Sequence, residues 1–309
     1  MHPAYSVILF TTASGAGYGL LALLGLVGFN HGQASSLGFG LASMIIALAL
    51  VTVGLLSSTF HLGHPERAWR ALSQWRSSWL SREGVAAVIG YSPALLFGLS
   101  WSGLWAAPGL TGLLGLATAV MAMITVFCTA KIYSTLTTIR AWNTPLTVPV
   151  YLAFSLATGA ALLAAITSVF GNFPGFLIVL ACLLLAVTIA LKLAYWRRID
   201  TAPRDRTIED ATGLGRIGEV SQWELPHTSE NFVQKEMGYA VARKHAAKLR
   251  RLVILLLVAA ILLLLAALLL PLAALPAAAL ALSAAVVERW LFFAEAQHVV
   301  TLFYGAKAA

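Results

Sequence analysis

Two groups of ionisable side chains stand against long apolar sequence and could do chemistry there. The first is the stretch His61 to Glu83, HLGHPERAWRALSQWRSSWLSRE, which opens on His61 and His64 and closes on Arg82 and Glu83. The second is ERWLFFAEAQH, which carries Glu288, Arg289, Glu295 and His298. Ionisable residues inside apolar membrane segments are costly and are functional-site candidates by default. The second stretch reads as helical, so Glu288 and Glu295, seven apart, share a face, and Glu295 and His298, three apart, can touch. A histidine titrates near neutrality, so it can hydrogen-bond an oxygen and pass on a proton. A carboxylate or an arginine can relay or hold charge. An apolar pocket with these groups near one face suits the redox chemistry of a quinone head group, which exchanges two electrons and two protons. The plainer reading makes His61 and His64 interfacial residues that meet water, and Arg289 part of an ion pair between helices. For Glu295 and His298 both readings stay open.

Metal chemistry has little support in the sequence. Cys128 and Cys182 both lie inside apolar runs, without a CxxC or Cys/His spacing, and are read as core packing. No catalytic residue and no metal ligand is assigned. A b-type haem asks for paired histidines on facing helices. His61 with His298 is the one candidate pair, because His2, His31, His227 and His245 fall in loops or at ends. Haem is therefore the disfavoured reading.

The elements that must position these groups are membrane helices. The chain has 309 residues, 60% hydrophobic and 10% charged, with a mean hydropathy of +0.85. That excludes an ordinary soluble domain. Eight runs reach the roughly 20 apolar residues a span needs: Ser6–Phe29, Gly38–Phe60, Gly84–Trp105, Gly109–Lys131, Val148–Phe170, Pro174–Trp196, Leu252–Ala274 and Ala277–Phe303. The expected fold is all-α, a polytopic bundle of eight transmembrane helices forming one membrane domain over residues 1–309. Helices 7 and 8 should form a tight hairpin at Leu275 and Pro276, with Pro271 kinking or ending helix 7. The first run is too long for a signal-peptide core and is read as an uncleaved helix. Gly15 and Gly19 on that helix fit close packing.

The connections alternate in charge. Those after helices 1, 3, 5 and 7 hold no Lys, Arg, Asp or Glu, whereas the other three and their flanks hold eighteen of the twenty basic residues. The positive-inside rule then puts both termini and the three charged connections in the cytoplasm. The net charge of +8 is an orientation signal, not a sign of nucleic-acid binding. The segment 197–250 is the one sizeable cytoplasmic loop. Within it Lys235–Arg250 reads as a polar helix leading into helix 7. Its surface could be solvated, rest on anionic lipid or dock a partner. In the first charged connection Pro65–Leu80 can form an amphipathic helix, with Ala68, Leu72, Trp75 and Trp79 on one face. Arg67, Arg70, Arg76 and Lys244 are the candidate docking residues for a partner protein.

STFHLGHPERAWRAL followed by SWLSREG resembles the membrane-anchor subunits of the dimethyl sulfoxide reductase family, the DmsC-type proteins. PHTSENFVQKEMGYAVARKHAAKLR and ERWLFFAEAQHVVTLFYG look like the branch of that family found in membrane-bound cytoplasmic sulfite dehydrogenases, the SoeC-type subunits. The resemblance covers most of the chain. It implies an anchor in a bacterial inner membrane that binds quinone or quinol, menaquinone or ubiquinone. It implies two partners on the cytoplasmic face: a molybdopterin catalytic subunit and an iron–sulfur subunit. Members typically carry no haem, and the family histidine implicated in quinol binding corresponds to His61. A cytoplasmic N-terminus departs from the orientation usually drawn for the dimethyl sulfoxide reductase anchor and favours the dehydrogenase. The quinone-binding set expected here is His61, His64, Arg82, Glu83, Glu295 and His298. The alternatives are the anchor of a quinol-oxidising reductase, a purely structural anchor and a secondary transporter. No discontinuous helices in matched halves support the transporter.

Overall fold

The computed structural model describes residues 3–61, 64–107, 109–171, 175–203, 206–224, 229, 231, 241–304 and 306, the side chains of 61 and 241–244 excepted. Eight helices in it are long and apolar enough to cross a membrane. They are α1 (Tyr5–His31), α2 (Leu37–Ser57), α3 (Trp79–Trp101), α4 (Leu110–Ser134), α5 (Thr147–Val169), α6 (Gly175–Thr201), α7 (Val241–Ala266) and α8 (Ala274–Ala294). An even number of spans returns the chain to the face it started from. The ends of α2, α4, α6 and α8 therefore share one face with the charged connections, called here the basic face.

Local chemistry sets several boundaries. Ser36 caps α2 by accepting from the Phe39 N–H at 3.2 Å, and Ser78 caps α3 through the Ser81 N–H. On the opposite face Gly32 (φ 76°) closes α1 and Gly171 (φ 72°) follows α5, left-handed positions that only glycine takes without strain.

α1 is the centre of the bundle and packs against α2, α4 and α5. It is helical throughout but widens into a π-helical turn over Phe10–Ser14. There the hydroxyls of Thr11, Thr12 and Ser14 fold back onto carbonyls of the preceding turn. Gly19 is in backbone contact with Ser155 of α5, and a Cβ there would collide with the Ser155 carbonyl. Gly15 has open space where a Cβ would stand, so of the expected packing pair only Gly19 makes the close approach.

Three sequence expectations need correction. Pro65–Leu80 is not one amphipathic helix. A 3₁₀ helix runs over Pro65–Leu72, a turn follows, and Trp79 already opens α3, where it meets Phe127 edge-on at 5.9 Å. The even spacing of Ala68, Leu72, Trp75 and Trp79 therefore does not make one face, and Trp69 and Trp75 are 68% and 53% exposed. The hairpin between α7 and α8 lies earlier than expected. α7 ends at Ala266, Pro271–Ala273 forms a 3₁₀ turn, and Pro276 falls in the first turn of α8, where its missing N–H costs nothing. Finally, α8 ends at Ala294, and Val299–Tyr304 is a separate 3₁₀ helix. Glu295 and His298 thus lie beyond the helix, and helical spacing does not bring them together.

Candidate functional site

The segment after α2 leads to the basic face. His61 is the last residue of a 3₁₀ turn, Ser58–His61, at the end of α2; its side chain lies outside the described residues. His64 is exposed, with Nδ1 at 3.0 Å from Glu66 Oε1. Arg67, Arg70 and Arg76 are all exposed, and the last two lie beside the rings of Trp69 and Trp75. Lys244 belongs to the start of α7, with its side chain outside the described residues.

Neighbours in sequence, Arg82 and Glu83 go separate ways. Arg82 covers the Trp79 ring at 4.3 Å and donates to the carbonyls of Trp75 at 3.0 Å and Arg76 at 2.6 Å, so it fastens the connection to the first turn of α3. Glu83 turns inward, is 3% exposed, and accepts from the Thr129 hydroxyl of α4. A carboxyl buried in an apolar bundle with one hydroxyl partner is an expensive group to keep. It sits about one turn inside the membrane span, at the end of α3 that faces the basic face.

Thr129 joins this carboxyl to the interior. It also lines a cavity of ≈ 20 Å³ bounded by Thr11, Thr12, Ser155, Thr158, Tyr151 and Arg289. That is room for one water. Arg289 is 3% exposed, lies over the Tyr151 ring at 3.6 Å, and reaches Glu288 at 3.5 Å through Nη2. Its Nε and Nη1 have no hydrogen-bond partner among the described residues. Glu288 in turn pairs with Lys192 of α6 at 2.5 Å, both fully buried, and Lys192 lies over the Tyr195 ring at 4.0 Å. Arg289 therefore pairs with its neighbour on the same helix and not across helices as expected, and the ion pair between helices in this three-membered cluster is Lys192–Glu288. Lys192 was missed as a member because it reads as the basic flank of a span. The signal was there in LKLAYW, where apolar and aromatic residues continue past the lysine.

A second polar group lies between α6, α7 and α8 at the same face. Arg250 binds Asp200 through Nη1 and Nη2 at 2.6 and 3.1 Å, and Glu295 through Nε at 2.8 Å. Burial raises the carboxyl of Glu295 above the usual range, against the opposing pull of Arg250. His298 accepts the Val300 N–H on Nδ1 at 3.0 Å, which keeps that nitrogen unprotonated, and burial holds its pKa below the usual value. Among the described residues no hydrogen bond or ion pair links Glu295 or His298 to His64, Arg82 or Glu83. Around the clusters an aromatic plug closes the bundle end. Trp142 donates to the Phe292 carbonyl at 2.8 Å and stacks on the Phe292 ring, and Tyr195 donates to the Ala141 carbonyl at 2.7 Å.

The arrangement offers a buried carboxylate and a histidine-bearing turn at the basic face, beside an exposed stretch of arginine and tryptophan. Among the described residues no group of three or more His, Cys, Asp or Glu could hold a metal ion. Comparison with known proteins bears on what such a face does. A model of the family described as DMSO reductase anchor subunit (DmsC) matches residues 1–306. The C subunit of the sulfite dehydrogenase of Allochromatium vinosum is 34% identical over 328 residues, covering 100% of each chain.

Proposed function

Since the chain belongs to the DMSO reductase anchor subunit (DmsC) family, we propose that it couples a molybdenum and iron–sulfur oxidoreductase to the membrane quinone pool. The partners sit on its basic face, which is the cytoplasmic one, in the inner membrane of a bacterium. The name of the Allochromatium relative supports sulfite oxidation as the reaction served. The observation that carries the quinone reading is Glu83, a buried carboxyl held by Thr129 just inside the span that follows the His61 turn.

A quinone supplies the chemistry of two electrons and two protons per molecule. The work of this chain is to hold its head group and to move protons. His61 would hold the head group by a hydrogen bond and exchange a proton with the aqueous side. Glu83 holds a proton at the apolar end. Arg82, tied to the Trp75 and Arg76 carbonyls, fixes the connection that leads into α3, and His64 would add a polar group beside the head group. Glu295 is committed to Arg250, which also holds Asp200, so this cluster stiffens the α6, α7 and α8 ends, while His298 is held by the Val300 N–H. The exposed Arg67, Arg70 and Arg76, set among Trp69 and Trp75, have the composition of an interface hot spot, and with Lys244 they dock the iron–sulfur subunit. Docking there would bring the electron donor to the same face as His61 and Glu83.

Binding of a fluorescent quinone analogue to the purified complex tests this reading. Wild type should quench the fluorophore at a single site, and both His61→Ala and Glu83→Gln should weaken binding at least tenfold. Undiminished binding in both variants would leave the chain a structural anchor with the quinone site elsewhere.

A further inference from the structure

At the basic face α6 and α7 border an open groove of ≈ 820 Å³. Its apolar part is formed by Leu193, Ile254 and Leu255, and Leu193 and Leu255 are 51% and 66% exposed toward the membrane side. Its mouth carries Arg197, Arg250 and Arg251 against one carboxylate, Asp200. These arginines are not equivalent. Arg250 is fixed by Asp200 and Glu295 and lies over the Trp196 ring at 5.4 Å, so Asp200 is already neutralised. Arg197 and Arg251 are exposed and make no ion pair among the described residues.

Two unneutralised guanidinium groups thus stand beside an apolar trough where helix ends leave the membrane. Guanidinium forks grip phosphate oxygens in pairs. Basic pockets between membrane helices recognise anionic head groups. A soluble phosphate, or the acidic surface of a protein, would use the arginines and leave the trough empty. A phosphate that carries acyl chains uses both halves. We propose that this groove is a binding site for an anionic phospholipid, with its phosphate on Arg197 and Arg251 and the first acyl segments along Leu193 and Leu255. The bound lipid fills the groove along α6 and α7 beside the Arg250–Asp200–Glu295 cluster. The site is independent of what the chain does with electrons.

Native mass spectrometry of the full-length chain in neutral detergent, with phosphatidylglycerol and phosphatidylethanolamine of matched acyl chains, tests it. Wild type should retain phosphatidylglycerol at least about tenfold more tightly. Arg197→Gln with Arg251→Gln should remove that preference, a loss of roughly 10- to 30-fold for two interfacial charges. Inorganic phosphate should not displace the lipid. In the unmodified chain, a phosphatidylglycerol with a photoreactive acyl chain should label the peptides around Leu193 and Leu255, which needs no variant. Equal retention of the two lipids, an unchanged preference in the double variant, displacement by phosphate, or labelling confined to other helices would each overturn the site. So would loss of the iron–sulfur subunit from the double variant in lipid-free detergent, which would assign these arginines to protein docking.

Discussion

Lys192, Glu288 and Arg289 together bury two positive charges and one negative one inside the bundle. Charges taken out of water are stabilised by partners, and leaving one unpaired is the costly event. Here part of the excess positive charge falls on ring faces, Lys192 over Tyr195 and Arg289 over Tyr151. Removing the carboxylate and removing the lysine should then differ in size. Glu288→Gln strands two cations and should cost about 3–5 kcal/mol of stability. Lys192→Met leaves Glu288 paired with Arg289 one to one and should cost less than about 1 kcal/mol. Unfolding of both variants in the same detergent decides it; equal losses, or the reverse order, would contradict this account of the cluster. The sequence made Glu288 and Arg289 visible, since charge inside an apolar run is conspicuous. It hid Lys192, because a lysine near the end of a long run resembles an interfacial anchor. It also hid the separate environments of Arg82 and Glu83, which follow from where α3 begins: with Trp79 as first residue both lie within the helix, about 100° apart, one over Trp79 and the other turned to α4.

Among the elements, α1 depends on close approach more than on side-chain bulk. A Cβ at Gly19 would run into the Ser155 backbone, whereas one at Gly15 would meet open space, although the Gly15 carbonyl accepts from the Ser155 hydroxyl at 2.7 Å. Gly19→Ala should therefore cost about 1–3 kcal/mol through overpacking and backbone shift. Gly15→Ala should be neutral or stabilising by up to about 1 kcal/mol, since alanine is the better helix former. Thermal unfolding of the pair is the check; similar behaviour of the two would mean that α1 does not pack as described. Span existence was legible because apolar length is a strong signal. Span ends were not. VVTLFY continues the apolar pattern of α8, yet the chain leaves the helix at Glu295, whose carboxylate is held by Arg250 of α7. That contact spans 45 positions of sequence, beyond the reach of any local pattern. The tryptophan spacing after α2 failed for a related reason: spacing implies a shared face only if the helix is unbroken.

For the whole molecule, the eight spans place every charged connection on one face. With that face in the cytoplasm, reporter fusions after Gly32, Gly103 and Gly171 should read periplasmic and fusions after Arg76 and Arg140 cytoplasmic; the inverse pattern would put docking and proton exchange on the wrong side. On the proposed function, the His61 turn and the arginine–tryptophan surface would then face a cytoplasmic electron donor. Family membership and architecture were legible in the chain, because both rest on apolar length and on the motif after α2. The most direct measurement compares two turnover rates in the assembled complex, one with a soluble redox dye and one with a quinone. In Glu83→Gln and in His61→Ala the dye-linked rate should stay at the wild-type level while the quinone-linked rate falls at least 100-fold, about 3 kcal/mol of lost transition-state stabilisation. Wild-type quinone-linked rates in both variants would contradict the account.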